Sequence, residues 1–315
     1  MRERFSIGID IGRSNVRAAR VEGGRPTEIL RERTDVPGGP QGVLDQVREM
    51  IMRLDLGMQA PVGVGIAGQV DTGRGLVRCG PNLFWPDIPF QNMLAEAVGA
   101  PVVLRNDVVM ATVGEWKHGA GRGVDDLVCL FVGTGIGGGA VVDGRLLEGA
   151  TGCGGHFGHI SVQLDGADCT CGRRGCVEAY AGGASVEKRV RRAVAEGTGG
   201  DMLPMMCAGY PEVIGCPMVA TAAERGDPFA LRVRDEMAAA LSSSVASVIN
   251  SLNPKKVVLG GTVLFGFPGL FDMVMQGAKT QCLRPAADGL TVEPSTLGDL
   301  AGVVGAATLA LEIYG

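Results

Sequence analysis

The chain has 315 residues, 51 of them glycine, with 29 Lys and Arg against 34 Asp and Glu and a formal charge of −5. Length alone suggests about two domains with cores that need no staples, and 46% hydrophobic against 20% charged residues excludes bulk disorder. The weak acidity argues against nucleic acid as a partner, which asks for a basic stripe, while the lack of a signal peptide or of an apolar run of ~18–20 residues argues against a membrane partner and for a cytoplasmic location.

In chain order, residues 5–10 alternate and are β-rich, 12–15 interrupt them and 16–21 resume, which predicts a hairpin. Residues 41–54 carry apolar groups at helical spacing, and 62–66 read as a short buried strand. Residues 68–81 are turn-rich, 91–98 read as a helix and 101–104 as a strand, and Asp107 is placed to cap a helix over 108–118. A second β-rich block has strands at 127–132 and 140–142 around a glycine turn. A helix follows at 185–196, then a long one opened by Asp227-Pro228 and stopped by Asn253-Pro254. A strand at 256–259 and a terminal helix at 301–313 complete the pattern. Strand, glycine turn and strand occur both at 5–21 and at 127–144. This coarse duplication fits two related α/β lobes with a cleft between them and a boundary near 119–124.

Five segments carry chemistry. Asp10-Ile11-Gly12-Arg13-Ser14-Asn15 points backbone N–H groups and a hydroxyl at one spot, which suits phosphate oxygens. An aspartate there can hold Mg2+ through water, although an ordinary hairpin turn explains the same residues. Segment 133–139 has five glycines, which let a backbone approach a ligand. It is neither a Walker A loop, since no Gly-Lys-Ser/Thr follows, nor a dinucleotide fingerprint, since a strand follows. Either it is a plain hairpin turn or, paired with the first, a phosphate clamp. Asn106-Asp107, at a strand end and helix start, is a general base if it faces a substrate and an N-cap otherwise. His159, Cys169, Cys171 and Cys176 form a Cys3His set of the structural zinc type. Gly172 and Gly175 would bend the loop, free thiols are the alternative, and His156 competes for the histidine position. The other six cysteines read as small buried hydrophobes in a reducing compartment. Gly260-Gly261-Thr262, after a strand, can seat a nucleotide base or ribose.

Together these segments resemble the repressor/ORF/kinase (ROK) family of sugar kinases, in the hexokinase–actin–Hsp70 fold group. Gly158-His159 followed by Cys169-Thr170-Cys171-Gly172-Arg173-Arg174-Gly175-Cys176-Val177-Glu178-Ala179-Tyr180 looks like the family's zinc and sugar signature. The resemblance implies an α/β fold of two actin-like, ribonuclease H-like lobes plus a small zinc-bearing loop. The first lobe would cover 1–120, completed by a helix at 300–315, and the second 121–299 with the zinc site and a dimerisation surface. Asp10, Gly12, Ser14 and Asn15 would form one phosphate loop and Gly133, Thr134, Gly135 and Gly137 the other, with Gly260, Gly261 and Thr262 beside the adenosine. Asp107 would be the base. Gly68, Asn82, Asn106, His156, His159 and Glu178 would line the sugar, with structural Zn2+ on His159 and the three cysteines and Mg2+ arriving with ATP. A homodimer or homotetramer is implied. The first strand begins at Phe5 with no helix-turn-helix before it, which favours the kinase branch over the repressors.

The chain departs from the family pattern at three places. His156 stands where the family carries Glu in Glu-x-Gly-His, Arg13-Ser14-Asn15 stand where Gly-Thr-Lys is usual, and Ala67 replaces a common proline. The expectation is an ATP-dependent kinase of a hexose or N-acetylhexosamine. A kinase of a cyclitol or modified sugar is the alternative raised by His156, and a catalytically weak sugar sensor the alternative of another class.

Overall fold

The computed structural model describes residues 4–57, 59–80, 83 and 85–315. The expected hairpin is present: β1 (Phe5–Ile11) pairs antiparallel with β2 (Asn15–Glu22), Asp10 opposite Arg17. A further strand, β3 (Arg25–Arg33), pairs with β2. It was not legible because it is the exposed edge of its sheet, and such a strand needs no apolar alternation. α1 (Gly39–Leu54) buries Val43, Leu44, Val47, Met50, Ile51 and Leu54, the stripe its spacing predicts. β4 (Val62–Ile66) runs parallel to β1. The turn-rich segment instead forms a small antiparallel sheet of β5 (Gln69–Asp71), β6 (Leu76–Gly80) and β7 (Trp85–Ile88). α2 (Phe90–Val98), β8 (Val102–Asn106) and α3 (Asp107–His118) follow. The first large sheet has the order β3-β2-β1-β4-β8.

β9 (Leu127–Val132), β10 (Ile136–Val142) and β11 (Arg145–Leu146) open a second five-stranded sheet, of order β11-β10-β9-β12-β13. β10 starts inside the glycine segment, so the turn itself is only 133–135. Next come α4 (Val177–Ala181), α5 (Gly183–Ala195), α6 (Met202–Met206), α7 (Cys216–Glu224) and α8 (Pro228–Leu252). Asp227 caps α8 by accepting from the Ala230 N–H, and Asn253 ends it in the left-handed conformation, φ 46°. β12 (Lys256–Gly260), α9 (Thr262–Gly266), α10 (Leu270–Gln281), α11 (Arg284–Ala287), β13 (Thr291–Pro294) and α12 (Ala301–Tyr314) complete the chain. Gly277 hid α10 in the sequence; in the fold a side chain there would overlap Ser242 of α8. Among the described residues no helix is long and apolar enough to cross a membrane.

The chain divides into two compact units, one of Met1–Val128, Gly139–Gly155 and Ser295–Gly315, the other of Cys129–Gly138 and His156–Pro294. It therefore passes from unit to unit four times, at 128/129, 138/139, 155/156 and 294/295, where the sequence pattern predicts a boundary near 119–124 and a return at 300.

In the first unit, close approach of α12 to the sheet depends on missing side chains. Gly8 of β1 pairs with Gly63 of β4, and a Cβ on either would overlap the α12 backbone at Val303 or Ala306. Gly305 and Gly114 let α12 and α3 meet in the same way. The Ser6 hydroxyl donates to the Ala307 carbonyl at 2.7 Å.

Glu115 of α3 is fully buried. Its carboxylate accepts from Ala120 N at 2.8 Å, Ser295 Oγ at 2.6 Å, Leu297 N at 2.9 Å, and Thr296 N and Oγ1 at 3.3 Å. It thereby fastens the end of α3 to the segment by which the chain re-enters the first unit. Glu115→Ala strands these donors, and urea unfolding should show a loss of about 3–5 kcal/mol. A loss below about 1 kcal/mol would contradict the clasp.

Candidate active site

The parallel strands β1, β4 and β8 bring Asp10, the Gly68 turn and Asn106-Asp107 to one end of the first sheet, their carboxyl ends. In open α/β sheets ligands bind at that end. Asn106, not Asp107, is the helix cap: its side chain accepts from Val108 N at 3.0 Å and Val109 N at 3.2 Å. Its Nδ2 donates to the Gly68 carbonyl at 3.0 Å. Asp107 is thus the first residue of α3, accepting from Val108 N at 2.9 Å. Burial pushes its carboxyl up to about 7, helped by the charge of Asp10 and opposed by the bonds from Val108 and Asn106. A carboxylate poised near neutrality is what a general base requires.

Asp10 pairs with Arg17 across the hairpin, Oδ2 to Nη1 at 3.1 Å, and Arg17 also reaches Asp299 at 3.1 Å. Burial raises the Asp10 pKa and Arg17 opposes it. Gly302 of α12 lies over this carboxyl, where a Cβ would stand 3.2 Å from Asp10 Cγ. The turn after Asp10 closes through Gly12 N to Asn15 O at 3.0 Å, and Thr34 Oγ1 donates to Gly12 O at 2.7 Å. Arg13 and Ser14 are exposed at its tip. Arg17 was missed by sequence reasoning, although the hairpin register would have placed it opposite Asp10. Asn82 lies outside the described residues.

In the second unit, Gly133 N donates to Gly135 O at 2.9 Å. The carbonyls of Gly133 and Thr134 accept from Gly183 N and Ala184 N, both at 2.9 Å, at the start of α5. Glu178 supports the turn from behind, accepting from Ile136 N at 2.9 Å and from Thr170 Oγ1 at 3.2 Å. Gly137 already belongs to β10. Gly261, φ 104°, ends β12 so close to β9 that a side chain would overlap Val132, and Thr262 begins α9. Beside Thr262 lies a cavity of about 500 Å3, lined among others by Cys216, Ala220, Thr221, Glu224, Val263 and Phe265. The sequence did not reveal α7, its second wall, because CPMVATAAE carries only two polar residues, Thr221 and Glu224, too few to set a period.

His159, Cys169, Cys171 and Cys176 offer ligand atoms that all lie within 4.8 Å of one another. Cys169 Sγ is 3.7 Å from His159 Nδ1, and the sulfurs of Cys171 and Cys176 are 3.7 Å apart. Tetrahedral zinc with bonds of about 2.3 Å asks for sulfurs about 3.8 Å apart, so this donor set fits it. Burial, then the other two sulfurs, pushes the Cys176 thiol up to about 12. His156 is not in the set; its ring lies 6.3 Å from that of His159, and burial holds its pKa below the usual imidazole value. Of the other cysteines, Cys129, Cys207 and Cys216 are buried as expected, but Cys153 and Cys282 are only half-buried, and the Cys79 side chain lies outside the described set.

The raised Asp107 pKa has a cost in stability. Ionisation is disfavoured in the folded state, so stability is lost as pH rises from about 4 through 7. Asp107→Asn should melt above the wild type at pH 8, with the gain shrinking toward pH 4. Equal melting temperatures at pH 8 would contradict the assigned environment.

The profile of the ROK family matches residues 6–313. The chain is 35% identical to "Glucokinase" of Thermotoga maritima, over 98% of each chain. It superposes with TM-score 0.83 on a ROK family glucokinase from Streptomyces griseus in complex with glucose and AMPPNP, at 32% identity over 98% of this chain and 99% of that one. It is also 23% identical to "Xylose repressor" of Bacillus spizizenii, over 98% of this chain and 78% of that protein. With a family match over nearly its whole length, the chain belongs to the ROK family.

Proposed function

We propose that the chain is an ATP-dependent carbohydrate kinase and that Asp107 is its general base. The observation that carries this reading is the half-buried Asp107 carboxyl, raised to about 7 at the carboxyl ends of parallel strands. Relatives named glucokinase add weight. The acceptor hydroxyl gives its proton to Asp107 as its oxygen attacks the γ-phosphorus of MgATP. The P–O bond to the sugar forms, the bond to the β-phosphate oxygen breaks, and ADP leaves. Such catalysis is alignment plus electrostatics. Asn106 fixes the start of α3, while the turns at Gly12 and Gly133–135 offer backbone groups to phosphate oxygens. Gly260, Gly261 and Thr262, with the neighbouring cavity, suit the adenosine.

Hexoses and N-acetylhexosamines are the first candidates for the acceptor, held by Gly68, Asn106, His156, His159 and Glu178. His156 favours a second reading, a cyclitol or modified sugar. A half-buried imidazole with a lowered pKa is neutral at pH 7, so it offers one donor and one acceptor where a carboxylate only accepts. The Cys3His set would hold zinc, which as a closed four-ligand centre supplies folding energy and no open catalytic position.

The reading is tested by ADP release from MgATP with glucose, mannose, fructose, N-acetylglucosamine, N-acetylmannosamine and myo-inositol. One or more should be turned over; silence across the panel with ATP bound would contradict it. Asp107→Asn should lower turnover at least about 10²-fold. In the wild type kcat/KM should fall as pH drops below about 7, because the base must be ionised. A near-normal rate in Asp107→Asn would remove Asp107 from the mechanism. Cys171→Ser should lose one equivalent of zinc and melt lower, and an equally stable, active, metal-free variant would contradict the zinc assignment.

A further inference from the structure

One strand residue before Asn106, Arg105 makes a contact that the mechanism above does not use. Its Nη1 donates to the Leu104 carbonyl at 2.9 Å, and its Nε pairs with the Glu148 carboxylate. The Arg105 side chain is only 14% exposed. Alternation along β8 turns it away from Asn106, so it acts through whatever Glu148 holds.

Glu148 opens the loop 148–155. The loop folds back on itself, Gly154 N donating to Glu148 O at 2.8 Å, and turns at Gly149, Gly152 and Gly155, which have φ of 73°, 78° and 86°. Its far side is fixed to the small sheet: the Cys153 thiol donates to the Val70 carbonyl at 3.7 Å, and Gly152 lies against Thr72. Val70 follows the Gly68 turn, whose carbonyl Asn106 holds. The loop, the Gly68 turn and Asn106-Asp107 are therefore three parts of one rim at the carboxyl ends of β4 and β8.

We propose that the Arg105–Glu148 pair positions the loop 148–155 as a wall of the acceptor pocket, and so sets affinity for the sugar. This rests on the kinase reading. Arg105 and Glu148 are positioning residues: they neither donate to nor accept from the reacting atoms. The loop's backbone, held at a charge pair on one side and at Val70 and Thr72 on the other, presents a fixed surface to the sugar ring. Releasing one anchor loosens that surface equally for ground and transition states, an effect that appears in KM and not in kcat.

The test uses the full chain and the best acceptor of the panel above. Arg105→Met and Glu148→Gln should each raise the sugar KM about tenfold, leaving kcat and the KM for ATP within about twofold. The exchanged pair, Arg105→Glu with Glu148→Arg, should return the sugar KM to within about threefold of wild type. Melting temperatures taken alongside separate positioning from general loss of fold, and Glu148→Gln alters a group whose side chain is 37% exposed. A sugar KM unchanged in the stably folded Glu148→Gln variant, an equal rise in both KM values, or an exchanged pair no better than the single variants would overturn the proposal. A wild type inactive on the whole panel would overturn the kinase reading and this inference with it, so the two failures are distinguishable.

Discussion

The architecture of the first unit depends on how closely its last helix can approach the sheet. Gly8 and Gly63 lie side by side on β1 and β4, and α12 rests its backbone on them. Gly114 and Gly305 bring α3 equally close, so helix, helix and sheet form one small-residue seam. The seam ends under Gly302, against the Asp10 carboxyl. A larger residue at any of these points would lift α12 and change the burial of Asp10, whose charge helps raise Asp107. Overpacking of this kind typically costs about 1–3 kcal/mol, and here the strain would act on the acid–base group as well as on stability.

The second unit treats its glycine turn in a comparable manner. The carbonyls of 133 and 134 are consumed by the first N–H groups of α5, and Glu178 takes the N–H of Ile136. Glu178 also accepts from Thr170, next to Cys169, so the Cys/His cluster and the turn share a support. The resemblance gave Glu178 a role on sugar hydroxyls. In the structure its oxygens hold protein groups, and contact with a hydroxyl would be shared with them.

Much of this was legible from the residues. Asp227-Pro228, the stripe of α1 and the spacing of the Cys3His set each obey a local rule, and the structure follows it. The cap of α3 lies at Asn106, one residue before the position the sequence predicts, because Asn and Asp both suit a cap and only the backbone shows which side chain reaches Val109. β3 and the small sheet were hidden because edge strands and strands of three to five residues need no burial period. The raised pKa of Asp107 and the Arg105–Glu148 pair were out of reach, since both depend on contacts between residues distant in sequence.

General-base chemistry at this site depends on the Asp107 carboxyl being raised to about 7 by burial and by the charge of Asp10. A carbon-13 NMR titration of its side-chain carboxyl, assigned by the signal lost in Asp107→Asn, measures this directly. The expected midpoint lies near 7 and falls in Asp10→Asn. A midpoint near the ordinary aspartate value of about 4, unmoved by Asp10→Asn, would contradict it.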